Sequence, residues 1–177
     1  EAIAVATLSA AGLFLVPTDT TRNLSFHVAV GADEARTRAT PPDVTDVVPC
    51  TTDQVNVVVA VSDGDNINVP LNHFSRSTSW PSPRRGEMPM GWSVSPSLAI
   101  LAPTAWDTYA EEATAADELV GILGYAYAAP AVLPDPVAFY QDSFAAMDEL
   151  GLRTFWSLGG GLESESAGGW LALDEAA

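Results

Sequence analysis

NVVVAVSDGDN, residues 56–66, is the stretch on which the fold turns. Five valines fall between Gln54 and Val61, and β-branched side chains favour extended backbone. A run that is apolar on both faces is expected as a central strand of a parallel sheet, covered by helices on each side. It stops at Ser62, and two carboxylates, Asp63 and Asp65, follow at once around Gly64. In parallel α/β folds, ligands bind where strands end at their carboxyl side. The alternative is an ordinary turn, since Asp, Gly and Asn are the usual turn formers.

The remaining pattern is also α/β. Ala11–Val16 reads as a buried strand stopped by Pro17, with Asp19, Thr20 and Thr21 as helix caps and a short helix over 23–30. Residues 33–54 are polar and read as a long loop, and 75–96, with its scattered prolines, as a second one. Between them, 67–77 reads as a broken helix. Helices are expected at 97–102 and 103–113, each opened by proline, and a strand or helix-to-strand passage at 117–123. The strongest helix is 137–150, introduced by Pro134-Asp135-Pro136 and ended by Gly151, and a strand over 153–158 follows it. The expectation is a single α/β domain over 1–177, part of a larger protein. Its parallel sheet is barrel-like, either TIM-like or an incomplete, open barrel, with helices packed outside.

Composition narrows the partners. The chain carries 23 acidic and 7 basic residues, a formal charge of −16, and every basic residue is arginine. Such a surface repels nucleic acid and anionic membranes, so neither is expected as a partner. The apolar N-terminal stretch is too short and interrupted to insert into a membrane. Cys50 is the sole cysteine, which excludes an intramolecular disulfide and a cysteine-rich zinc site.

No cofactor or metal is expected. Counted from Asp63, a calcium loop needs glycine sixth and glutamate twelfth, and Asn68 and Phe74 stand there. His73 has Ser77 four residues on, not a second histidine, and His27 is remote. Metalloprotease, P-loop, dinucleotide and nucleophile-elbow motifs are all missing. Carboxylates and aromatics remain. Trp80, Arg85, Glu87 and Trp92 cluster in the second long loop, where aromatic faces and charged groups suit a sugar. Tyr125 and Tyr127 share a face if extended, and Asn66 closes the acidic loop.

SDGDN after an apolar strand, then GWSVSP, then ATAADELV leading into GYAYAAP, then DELGLRTFWSL, together resemble the glycoside hydrolase-like GxGYxYxP family from about Leu13 to Glu163. Asp63 and Asp65 match the family's acidic strand end, Trp92 and Ser95 its GW-x-x-S-P segment, and Tyr125 and Tyr127 its naming motif. The chain departs from that motif at Ile122, where a glycine is wanted, and at Pro130, one residue late. The resemblance implies carboxylate acid/base hydrolysis of a poly- or oligosaccharide, an additional N-terminal domain of the same protein, and an extracellular or cell-surface location. Glycosidases set two carboxyl groups about 5 Å apart for retention or roughly 6.5–9.5 Å apart for inversion. Asp63 and Asp65 point to the same side of an extended segment, so one of them is expected to pair with Glu87 or Glu163. Two alternatives stand beside this reading: a non-catalytic or degenerate carbohydrate-binding domain, in which the aromatics matter, and a fragment inactive alone.

Overall fold

The computed structural model describes residues 2–30, 38–43, 51–122 and 127–156. Its centre is a four-stranded parallel sheet in sequential order: β1 (Ala60–Val61), β2 (Met90–Val94), β3 (Asp117–Ile122) and β4 (Thr154–Trp156). Helices α1 (Ala2–Ala10) and α2 (Leu24–Ala29) precede the sheet, and a π-helical segment, Val69–Phe74, lies between β1 and β2. Helices α3 (Ser97–Leu101) and α4 (Pro103–Glu112) connect β2 to β3, and α5 (Pro136–Glu149) connects β3 to β4. The sheet is open among the described residues, with β1 and β4 at its edges; a closed barrel is not formed by them.

Two of the expected strands differ from their sequence reading. The valine run is not a central strand. Only Ala60 and Val61 pair, with Gly91 and Trp92, and Val55, Val57 and Val58 are 90%, 77% and 90% exposed. Apolar composition reports what a strand tolerates, not where it stands, and the strand order leaves β1 on the edge. The centre belongs to β2, whose residues Gly91–Val94 are all buried, in a stretch expected to be loop. The chain at 11–16 is likewise not a buried strand. Leu13 and Phe14 are about half exposed, and Leu15 makes one antiparallel bridge, exchanging two 2.9 Å backbone hydrogen bonds with Tyr127.

Helix α5 forms for the reasons its sequence announces. The Asp135 carboxylate accepts from the Ala138 N–H at 2.9 Å, Pro136 occupies the first turn, and Gly151, at φ +72°, reverses the chain. Of the loop expected over 33–54, residues 38–43 and 51–54 are described. The 38–43 segment docks on α4: Ala39 donates its N–H to buried Asp107 at 3.0 Å and accepts from the Trp106 indole at 2.8 Å.

The core is aromatic at its centre. Phe74, Trp80, Trp92 and Tyr109 meet edge to face, with ring centres 4.9–6.1 Å apart, the arrangement their quadrupoles favour. Leu98, Trp106, Leu119, Leu150 and Leu152 continue the cluster beneath the helices.

Candidate active site

The acidic loop at the carboxyl end of β1 is shaped by one close approach. Gly64 lies against the end of β2, donating its N–H to the Ser93 hydroxyl at 2.9 Å and accepting from the Ser95 N–H at 3.0 Å. A side chain cannot fit there, because a Cβ on Gly64 would stand 1.7 Å from the Ser93 carbonyl oxygen. The chain turns around this contact. Asp63 adopts a left-handed conformation, φ +69°, which aspartate tolerates better than most residues. The loop is therefore not extended, and its carboxylates do not share a side: Asp63 is exposed and Asp65 is buried.

Above the loop is a cleft of about 550 Å³. Asp63, Asp65 and Asn66 line it from the loop itself, Asn68, Val69, His73 and Phe74 from the π-helical segment and its entrance, and Pro17, Asp19 and Tyr127 from the N-terminal side. π-Helical turns recur at functional sites, where they re-aim side chains. The Leu15–Tyr127 bridge holds Tyr127 beside the 17–19 segment. Asn66 ties the two halves together: its amide donates to the Asp19 carboxylate, and its oxygen accepts from the Asn68 N–H at 3.0 Å. Asp19 also takes a left-handed conformation, φ +40°, so two strained carboxylate residues meet at one cleft, a concentration typical of working sites. Among the described residues, no three His, Cys, Asp or Glu side chains converge as a metal ligand set.

Asp63, Asp65, Asn66 and Tyr127 are thus brought together. Tyr125 and Glu163 lie outside the described residues. Glu87 is elsewhere, in the loop entering β2, where it pairs with Arg84 at 2.9 Å and lines a separate hollow with Met90 and Asp117, the first residues of β2 and β3. Trp80 and Trp92 are core residues, 3% and 4% exposed, with their indole N–H groups bonded to Glu112 at 3.0 Å and Asp117 at 2.9 Å. Arg85 stacks 4.3 Å from the centre of the Trp80 ring and bonds Asp117 at 2.6 Å.

Asp117 gathers those donors. Burial alone would raise its carboxyl, but bonds from the Thr114 hydroxyl and N–H, the Trp92 indole and the charge of Arg85 outweigh it and hold the group below the usual carboxylate range. That group organises the amino end of the sheet. The cleft residues that local reading did not select include Asn68, His73 and Asp19. Asp19 reaches the site through a contact 47 residues distant in sequence, for which no local signal exists.

The described residues thus form an α/β domain with an acidic cleft at the carboxyl end of a parallel strand. The chain belongs to the family described as "GxGYxYP putative glycoside hydrolase C-terminal domain", whose model matches residues 53–167. It is also similar to the crystal structure of a protein from Bacteroides thetaiotaomicron VPI-5482 described as a "putative hydrolase". That similarity has 28% sequence identity and a TM-score of 0.62, and covers 84% of this chain and 29% of the other. The chain thus spans less than a third of the length of that protein. No curated protein matches it.

Proposed function

We propose that this domain carries the acid/base site of a glycoside hydrolase that cleaves a poly- or oligosaccharide. The observation behind the reading is the convergence of Asp19, Asp63 and Asp65, from two separate segments, on one polar cleft at a strand's carboxyl end. Asp63, exposed in the cleft, is the general base or nucleophile. Asp19, from the segment ahead of α2, is its opposing carboxylate among the described residues, in place of Glu87. Asn66 and Tyr127 bind sugar hydroxyls, and buried Asp65 supports the loop. The burial of Trp80 and Trp92 argues against a binding module that stacks sugars on those two rings.

The sequential order of the strands, each joined to the next by helical segments, is compatible with an arc of a TIM-like barrel. A secreted or surface-exposed protein with a further N-terminal domain is consistent with family membership. No helix among the described residues is long and apolar enough to cross a membrane.

The test is hydrolysis of a panel of neutral and charged oligosaccharides by the chain and by Asp63→Asn. The substitution keeps the shape and removes the charge. It should lower kcat by roughly 10³-fold, within the usual worth of a positioned acid or base, while the circular dichroism spectrum stays unchanged. Undiminished turnover by Asp63→Asn would remove Asp63 from the mechanism.

A further inference from the structure

We infer that the cleft accepts glycans without carboxylate or sulfate groups and rejects polyuronates and sulfated glycans. This substrate class presupposes the glycoside hydrolase reading and narrows it. It comes from the whereabouts of the chain's positive charge.

The sequence has seven arginines and no lysine, so cations that could hold an anionic sugar are few enough to follow one by one. Arg38 pairs with Asp107 at 3.3 Å, Arg84 with Glu87 at 2.9 Å, and Arg85 with Asp117 at 2.6 Å. Arg153 lies 3.2 Å from Asp148 and 3.8 Å from Asp43. None of these four lines the cleft, and neither does Arg22 or Arg76. Arg36, the seventh, lies outside the described residues. Among the described residues, the only cleft-lining side chain with a basic nitrogen is His73, and it shares the cleft with Asp19, Asp63 and Asp65.

Recognition of a carboxylate or sulfate ordinarily requires the paired N–H groups of arginine or the ammonium of lysine. A uronate here would instead bring its charge within a few ångströms of two or three carboxylates. The net charge of −16 adds a long-range field of the same sign, which repels a polyanion before it arrives. Neutral sugars meet no such barrier. Their hydroxyls donate to carboxylate oxygens and to the side-chain oxygens of Asn66 and Asn68. Amino sugars are favoured further by the acidic walls.

Titration calorimetry of the chain at low and moderate salt tests this. The neutral probes are gluco-, xylo-, manno-, galacto- and arabino-oligosaccharides, with chitosan oligosaccharides as the cationic probe and oligogalacturonate as the anionic one. At low salt, at least one neutral or amino-sugar probe should bind roughly tenfold or more tightly than oligogalacturonate, and the gap should narrow as salt screens the repulsion. Asp19→Asn and Asp63→Asn should each improve oligogalacturonate relative to the neutral probes by about fivefold, the scale of one like-charge contact in a solvated cleft. Oligogalacturonate binding as tightly as the best neutral probe at low salt would overturn the charge exclusion and leave the glycosidase reading standing. Binding of no probe of any class would overturn both.

Discussion

Gly64→Ala tests the contact on which the cleft is built. The added Cβ would lie 1.7 Å from the Ser93 carbonyl oxygen, 2.2 Å from its carbon and 2.8 Å from the Val94 nitrogen. All three are backbone atoms of β2, one of the two inner strands, so no side-chain rotation relieves the overlap. An ordinary carbon–oxygen contact is about 3.3 Å, and the loop must therefore retreat by about 1.6 Å. That movement breaks the Gly64–Ser93 and Ser95–Gly64 hydrogen bonds, each worth about 1 kcal/mol. Residual overpacking adds about 1–3 kcal/mol, for a total of about 3–5 kcal/mol. For a chain of this size that lowers the melting temperature by roughly 10 °C, measurable by circular dichroism or scanning calorimetry. Ser93→Ala, which removes only the hydroxyl acceptor, should cost about 1 kcal/mol. A Gly64→Ala protein melting within about 2 °C of the parent would refute the proposed approach of loop to strand.

Three further substitutions probe other parts of the structure. Asp117→Asn leaves Arg85 without its buried partner and should cost about 3 kcal/mol at neutral pH in urea unfolding. Because the folded carboxyl titrates below its unfolded value of about 3.9, its contribution is present above that pH and fades as pH falls through the lower folded value. Asp117→Asn should therefore flatten the stability profile on the acid side, below pH about 4. Tyr109→Phe removes the hydroxyl that donates to the Pro70 carbonyl inside the π-helical segment and should cost about 1–2 kcal/mol by the same measurement. Val58→Lys should change stability by no more than about 0.5 kcal/mol, because Val58 is 90% exposed; a loss of several kcal/mol would restore the valine run to the interior.

What the sequence discloses depends on how far each feature's causes lie along the chain. Helix α5 was legible in full, because its cap, its proline and its terminating glycine are neighbours in sequence. Helices α3 and α4 were legible for the same reason. The valine run was misread because burial needs a partner on each side, and pairing is decided by segments far away: Ala60 meets Gly91, and beyond β1 the described residues supply no further strand. Trp80, Arg85 and Trp92, close in sequence, also meet in space, with both indoles in the core. The carboxylates that satisfy them, on Glu112 and Asp117, lie 25 to 32 residues away, and only the fold brings them in.

The acidic loop shows how local and distant causes combine at one site. Its composition already marked a turn at a strand end. Whether such a turn can serve chemistry depends on its two carboxylates meeting different surroundings, which an extended segment would not provide. Gly64 provides it: where the loop presses onto Ser93, both carboxylates line the cleft, but Asp63 is exposed and Asp65 is buried. The loop then presents one solvent-facing carboxylate instead of an adjacent, mutually repelling pair, and like charges held side by side are costly. Under the proposed acid/base reading the second carboxylate comes from another segment. Asp19 lines the same cleft and accepts from the Asn66 amide, so the residue after the acidic pair ties the two segments together.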